Sequence, residues 1–183
     1  MLLLSSSIAY SQISWQILGS VGLVEQRTDN AKYKLDGSFI NGWQIGVHSR
    51  IYKQSFYLRP GIEFAYVDIF GSQKIEILKE KPANYSFLFP LQLGYDVIRN
   101  EDFKFRVAAG GILSYLFKVD DNKLGINKYD YTALQGGLLL SAGFDFYPIC
   151  FDFNYSLGLS NLYVNPDFKT NTYSFTLGII FDK

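Results

Sequence analysis

Eight charged residues lie within segments in which nearly every second residue is apolar. Four are basic and four are acidic, so opposite charges can meet if these side chains share one enclosed space. A buried charge needs a partner to offset its lost hydration, so the pattern predicts an ion-pair network that fixes the fold. A selective path for protons or ions along the same side chains is the alternative. The residues are Arg50, Arg59, Glu63, Asp96, Lys104, Arg106, Asp145 and Asp152.

Few other residues could carry catalysis or bind a metal. His48 is the only histidine and Cys150 the only cysteine, which excludes a two-histidine metal site, a cysteine-based zinc site and an intramolecular disulfide. No Ser or Thr nucleophile with a carboxylate-held base is visible, and His48 is expected inside the fold, where Glu63 could hydrogen-bond it. The segment Asp120–Asn122 lacks the full ligand set of a calcium loop. We therefore predict that the protein is not an enzyme and uses no metal or cofactor.

Composition favours a sheet that faces lipid. The 183 residues show no shift in composition that would mark a second domain. Lys plus Arg and Asp plus Glu are both 17, so there is no electrostatic reason to expect nucleic acid as a partner. Aromatic residues make up 17% of the chain, with 14 Tyr and 16 Phe beside 16 Gly, which is unusual for a soluble domain and normal for a membrane-facing sheet.

The elements that must position the charges are β-strands. From Ser14 onward, apolar and polar residues alternate in segments of about ten residues, the length of a tilted strand that crosses a bilayer. Pro60 and Pro90 each remove a ladder donor, so we expect a bulge or local distortion there. The predicted strands are Ser14–Glu25, Asn41–Tyr52, Phe56–Asp68, Asn84–Ile98, Phe103–Phe117, Tyr131–Phe146, Cys150–Leu162 and Asn171–Phe181.

The connections between these strands alternate in length. Four are long and polar, and three are short. This alternation predicts an all-β fold, an eight-stranded antiparallel up-and-down barrel with long loops at one end and tight turns and both chain ends at the other. The charged residues are expected near the short-turn end. The long connections are Gln26–Ile40, Ile69–Ala83, Lys118–Asp130 and Tyr163–Thr170, and the short ones are Lys53–Ser55, Arg99–Asp102 and Tyr147–Ile149.

Residue size indicates which face of the sheet points outward. The polar face is rich in Gly, Ala and Ser, as a narrow eight-stranded lumen requires, whereas the bulky aromatics of the other face could not all fit inside. In water such an exterior would aggregate, so the consistent solvent is a bilayer. We therefore predict a transmembrane barrel in the bacterial outer membrane, with aromatic girdles at both ends of the strands. A soluble, lipocalin-like ligand-binding barrel is the competing interpretation.

The first residues resemble part of a secretory signal. Residues 1–8 are short and apolar, and Ala9 and Ser11 are small residues at the spacing that a signal peptidase needs before Gln12. We therefore predict a partial signal peptide at residues 1–11 and an outer-membrane β-barrel domain at residues 12–183.

With this pattern in view, the chain resembles the PorT-type outer-membrane β-barrel proteins. The resemblance is carried by the alternating segments, by the signal ending Ala9-Tyr10-Ser11-Gln12 and by the last strand, Tyr173–Phe181, whose alternating aromatics resemble the signal read by the barrel assembly machinery. Asp182 and Lys183 follow Phe181, where many relatives end on the aromatic. The resemblance implies outer-membrane lipid and the assembly machinery as partners, and we expect a monomer.

At the level of function, the sequence favours a structural or adhesive barrel, or one that binds a surface ligand through long extracellular loops. The plugged polar interior would then serve the fold alone. A small transporter or channel for ions or hydrophobic molecules is the alternative, and a lipid-modifying enzyme is a third hypothesis.

Overall fold

The computed structural model describes residues 13–28, 40–68, 83–100, 102–120, 131–161 and 169–181. The predicted signal segment, residues 1–11, lies outside this part of the chain. The described residues form eight β-strands. They are β1 (Ile13–Thr28), β2 (Gly42–Lys53), β3 (Phe56–Asp68), β4 (Ala83–Arg99), β5 (Lys104–Val119), β6 (Leu134–Phe146), β7 (Ile149–Gly158) and β8 (Thr170–Ile180).

The strands close into a single barrel. Each pairs antiparallel with its neighbours in sequence, and β1 closes the ring by pairing with β8, for example Val21 with Leu177. The long connections join the strands at one end, which we call the loop side, and the short turns join them at the other, the turn side. The predicted eight-stranded up-and-down barrel is therefore confirmed. No helix among the described residues is long and apolar enough to span a membrane.

The two faces of the barrel point as predicted. On β7, Phe153 is 52% exposed on the outer wall, whereas its neighbour Asp152 is only 2% exposed in the interior. The same alternation runs through β8, where Phe175 and Leu177 are exposed and Thr176 is buried. Because large apolar side chains cover the outer wall, the barrel is suited to a lipid environment and not to water.

Aromatic side chains contact one another near both ends of the outer wall. On the loop side, the rings of Trp43 and Tyr66 stack with centroids 5.9 Å apart. On the turn side, Phe56 lies 4.9 Å from Tyr95 between ring centroids. Aromatic bands at these two levels are typical of a barrel whose ends lie at the two membrane interfaces.

The two prolines lie where one ladder is locally distorted, as predicted. The β3–β4 ladder keeps one register throughout, but its pairing is interrupted between Pro60–Leu91 and Glu63–Leu88, where Pro90 would oppose Gly61. This is the expected local distortion without a bulge. The register shifts of β4 against β5 fall elsewhere, at Tyr85/Ser86 and Asp96/Ile98. A missing N–H removes a ladder bond without inserting a residue, so the register survives.

The predicted strand bounds differ from the structure by three residues or more at three ends. β1 ends at Thr28 and not at Glu25, β6 begins at Leu134 and not at Tyr131, and β7 ends at Gly158 and not at Leu162. Beyond Gly158 the backbone curls toward β6, because the N–H groups of Leu159 and Ser160 both donate to the carbonyl of Gly136. The Ser160 hydroxyl accepts a hydrogen bond from the Gly136 N–H at 2.9 Å. These bonds replace the ladder, so the strand stops.

Two adjacent glycines in β5 provide a test of this packing. A Cβ at Gly110 would overlap the Leu91 carbonyl oxygen of β4, whereas a Cβ at Gly111 would find its nearest atom, the Gly137 oxygen, at 3.8 Å. Backbone atoms cannot swing aside, so G110A should lower the free energy of unfolding by about 1–3 kcal/mol. The matched control, G111A, should change it by less than about 0.5 kcal/mol. Urea unfolding of both refolded variants measures the difference, and equal midpoints would contradict the register.

Candidate functional site

The interior of the barrel is crossed by two ion pairs between opposite walls. Arg50 on β2 lies 2.7 Å from Asp145 on β6, measured between Nη1 and Oδ2. Arg59 on β3 lies 3.0 Å from Asp152 on β7, measured between Nη2 and Oδ2. In a ring of eight strands, β2 faces β6 and β3 faces β7. Both pairs therefore run across the barrel axis and occupy its centre.

Arg106 on β5 joins these two pairs into one ion-pair cluster. Its guanidinium donates from Nε and Nη2 to Oδ1 of Asp145, at 2.9 and 2.7 Å. It also donates from Nη1 to Oδ1 of Asp152. Three guanidinium groups thus share two carboxylates in a space almost closed to solvent. Such a cluster is costly to break, because removing one partner leaves a buried charge without compensation. The cluster comprises Arg50, Arg59, Arg106, Asp145 and Asp152.

The backbone makes room for these side chains through glycines on the neighbouring strand. A Cβ at Gly143 would overlap the Asp152 carboxylate and come within 2.7 Å of Arg106 Nη1. A Cβ at Gly61 would likewise overlap the ring of His48. At these two positions the narrow lumen holds a large polar group because the facing residue has no side chain.

Three of the eight sequence-predicted residues, Lys104, Asp96 and Glu63, lie outside the ion-pair cluster. Lys104 places its ammonium 5.1 Å from the ring centroid of Tyr52. Asp96 is buried, and within the described residues neither of its carboxylate oxygens has a hydrogen-bond partner. The turn-side end of the lumen is filled instead by Tyr52 and Tyr57, whose rings lie 5.2 Å apart. Both tyrosines continue the inward-facing period of their strands, so strict alternation could have identified them.

The remaining predicted residue, Glu63, contacts His48 as expected. The two side chains lie 3.0 Å apart between Nε2 and Oε1, and both are buried. Among the residues that the structure describes, no Ser, Thr or Cys side chain hydrogen-bonds to His48. Within the described ranges, no group of three or more His, Cys, Asp or Glu side chains is arranged to hold a metal ion.

A hydrogen-bonded chain of uncharged residues forms the next layer toward the loop side. Gln92 on β4 donates to Ser141 on β6, Ser141 donates to Asn154 on β7 at 2.6 Å, and Asn154 donates to Ser174 on β8 at 3.2 Å. Together with the ion-pair cluster, this layer forms a closed polar floor. We refer to the space beyond it as the loop-side cavity.

The loop-side cavity has a volume of about 110 Å³. That is room for roughly ten water molecules. Besides His48, the acidic and basic side chains among the described residues that line it are Arg59 and Glu63, and each already has a partner. Amide, hydroxyl and aliphatic side chains make up most of the rest of the lining. The lumen is thus ionic and filled toward the turn side, and uncharged and hollow toward the loop side.

At the rim of the loop side, one carboxylate binds two strand residues. The Tyr85 hydroxyl donates to Oδ2 of Asp120 at 2.9 Å, and Lys118 Nζ lies 2.8 Å from Oδ1. The hydrogen bonds from Lys118 and Tyr85 lower the pKa of Asp120. The outward aromatic band is therefore anchored to a charged pair just beyond the strand end.

Comparison with known proteins agrees with this architecture. A protein-family model described as an outer membrane protein beta-barrel domain matches residues 5–164. No curated protein sequence matches the chain significantly. Among solved structures, neisserial surface protein A has a TM-score of 0.57 at 11% identity, covering 92% of this chain and 98% of that chain. Ail, the attachment invasion locus protein of Yersinia pestis, in complex with the heparin analogue sucrose octasulfate, has a TM-score of 0.52 at 15% identity, covering 93% and 99%.

A third solved structure corrects one prediction. The outer membrane enzyme PagL has a TM-score of 0.52 at 13% identity, covering 90% of this chain and 98% of that chain. The expectation that the chain is not an enzyme was therefore wrong, because it treated the lack of a visible catalytic motif as decisive. A barrel of this fold can carry an enzyme, since catalytic groups are added to a fold without changing it.

The shared carboxylate of the ion-pair cluster yields a direct prediction. D145N removes the charge that compensates both Arg50 and Arg106, so it should lower the free energy of unfolding by about 3–5 kcal/mol. Asp102 is exposed at the β4–β5 turn, and D102N should change this free energy by less than about 0.5 kcal/mol. Denaturant unfolding of both variants in one detergent measures the contrast. If D145N is as stable as D102N, the cluster does not stabilise the barrel.

Proposed function

The chain belongs to the family of outer membrane protein beta-barrel domains, and from this premise we propose that it is a surface barrel closed to solutes whose loop-side end binds partners outside the cell. The observation that carries the proposal is the pair of ion bridges across the axis, Arg50 to Asp145 and Arg59 to Asp152. A solute that passed through the lumen would have to separate both bridges. Separating buried opposite charges is costly, so the barrel wall can serve as a rigid support for the loops.

The alternative function, a small transporter or channel, has weaker support. The loop-side cavity would offer an entry, but its floor is formed by Arg59, Gln92 and Asn154, below which the ion-pair cluster fills the centre. An eight-stranded barrel is only wide enough for its own inward side chains. A conducting state would need the cluster to rearrange.

The orientation of the barrel supports a role at the cell surface. Outer-membrane barrels place short turns in the periplasm and longer loops outside the cell. In this orientation β3 and β5 end, and β4 and β6 begin, on the outer side of the membrane. Ail, a barrel of the same fold, has been solved in complex with a heparin analogue, so sulphated glycans are a reasonable first probe.

The expected partners follow from the same proposal. Outer-membrane lipid covers the apolar wall, the barrel assembly machinery inserts the chain, and the folded barrel acts as a monomer without nucleic acid. Within the family, we propose a PorT-type barrel on the pattern of the last strand, Tyr173–Phe181.

If the lumen is closed, the protein should not conduct ions across a membrane. Purified protein in planar lipid bilayers should give no discrete conductance steps, because the ion-pair cluster blocks the axis. The double variant R50A/D145A removes one cross-axis bridge and should raise conductance above that of the native protein. Regular single-channel steps from the native barrel would favour the channel alternative.

If the loop-side connections bind partners, adhesion of cells that display the barrel should depend on these segments. Bacterial cells that display the barrel should adhere to immobilised heparin more strongly than cells without it. Replacing residues 69–82 and 121–130 by Gly/Ser linkers of equal length should abolish the difference, because the strands and the interior remain intact. The heat-dependent gel mobility of both barrels serves as the folding control. Adhesion that survives both replacements would show that these loops do not carry it.

A further inference from the structure

The loop-side cavity contains hydrogen-bonding groups that the barrel does not use. Eight amide or hydroxyl side chains on its wall make no hydrogen bond within the described part of the chain. They come from six of the eight strands and so surround the space from nearly all sides. Polar groups whose hydrogen bonds the barrel leaves unused are candidates for contacts to a ligand. These residues are Gln26, Gln44, Asn84, Ser86, Ser114, Ser156, Thr170 and Thr172.

The charged groups on the cavity wall already have partners inside the wall. Nη2 of Arg59 pairs with Asp152, which Arg106 also contacts, and Glu63 lies 3.0 Å from His48. Nε and Nη1 of Arg59 have no hydrogen-bond partner among the described residues, but they are closed to water, so a charged ligand could not reach them to offset the hydration that it loses. The wall therefore favours an uncharged ligand.

The wall also offers apolar surface between its polar groups. Val24, Val67, Leu88, Ile112 and Leu116 line the same cavity. A ligand that fits both surfaces must carry hydroxyl groups on its edges and C–H groups on its faces. A sugar ring has this arrangement, and the space of about 110 Å³ is suited to one small ring.

We propose that the loop-side cavity is a binding site for a small uncharged polyhydroxylated molecule of monosaccharide size. Amide side chains such as Gln44 can both donate to and accept from sugar hydroxyls. The hydrogen-bonded floor of Gln92, Ser141, Asn154 and Ser174 prevents passage and fixes the depth of the site. The proposal goes beyond the surface role of the loops, because this site lies within the strands.

The test is isothermal titration calorimetry on refolded protein in a zwitterionic detergent without a sugar headgroup. The probes are glucose, galactose, mannose and N-acetylglucosamine, with glucuronate as the charged counterpart of glucose. At least one neutral sugar should bind, and glucuronate should bind about tenfold more weakly than glucose if glucose is that sugar, because its carboxylate has no partner. If none of the four neutral sugars binds at millimolar concentration, or if glucuronate binds more tightly than all of them, the proposal fails.

Two variants locate the binding. Q44L removes one donor and one acceptor from the cavity wall and should weaken binding about fivefold. Its matched control is Q16L, because Gln16 also points inward, from the neighbouring strand β1, but lies toward the turn side and does not line the cavity. Q16L should leave binding unchanged. Equal effects of Q44L and Q16L would place the ligand elsewhere.

A third variant fills the space without touching a charge. S114F should abolish sugar binding, while the barrel keeps its heat-dependent gel mobility and still conducts no ions. If S114F fails to refold, the contrast between Q44L and Q16L still decides the outcome. If the barrel conducts ions and binds sugar, the proposed closure of the lumen is wrong but the sugar site stands. If the barrel conducts no ions and binds no sugar, the closure stands but the sugar site is wrong.

Discussion

The structure depends on the need to compensate charge inside a cylinder that has little room for water. Eight strands enclose a lumen just wide enough for their own inward side chains. Two inward-pointing guanidinium groups therefore pair with carboxylates on the opposite wall, Arg50 with Asp145 and Arg59 with Asp152. Arg106 connects both carboxylates. Because the outer wall meets lipid and gains little from burial against protein, these internal contacts hold strands that are distant in sequence at a fixed distance from each other.

The packing of the interior follows from the same lack of space. Large polar or aromatic side chains lie over glycines of the adjacent strand: Asp152 over Gly143, His48 over Gly61, and Tyr57 over Gly94. In each pair, a large side chain fills the centre of the barrel where the facing glycine has no side chain. The polarity and packing of the interior therefore change along the barrel axis. Ions and aromatic rings close the turn side, a layer of uncharged hydrogen bonds follows, and the loop side opens into the cavity.

Much of this fold could be predicted from the sequence, because the two-residue period reports directly which face each residue occupies. The alternation of Phe153 with Asp152 is one example, and all eight strands were found. The end of β7 could not be predicted, because it is set by hydrogen bonds to Gly136 on another strand. The partners within the ion-pair cluster depend on the register of the closed barrel, which local spacing does not encode. Tyr52 and Tyr57 were missed because their aromatic character suggests the outer wall, although their position in the period places them inside.

The fold alone does not determine whether the protein is an enzyme. The exclusion of enzyme activity was wrong because it argued from absent motifs, while barrels of this fold include the enzyme PagL. Occlusion of the lumen, by contrast, follows from contacts that can be observed. Solid-state NMR on protein in lipid vesicles, with 15N-labelled arginine and 13C-labelled aspartate, tests those contacts directly. We expect magnetisation transfer between the Asp145 carboxyl carbon and the Arg50 guanidinium nitrogens, and we expect this signal to disappear in R50Q. If the native protein shows no such transfer, the ion pair across the lumen does not form.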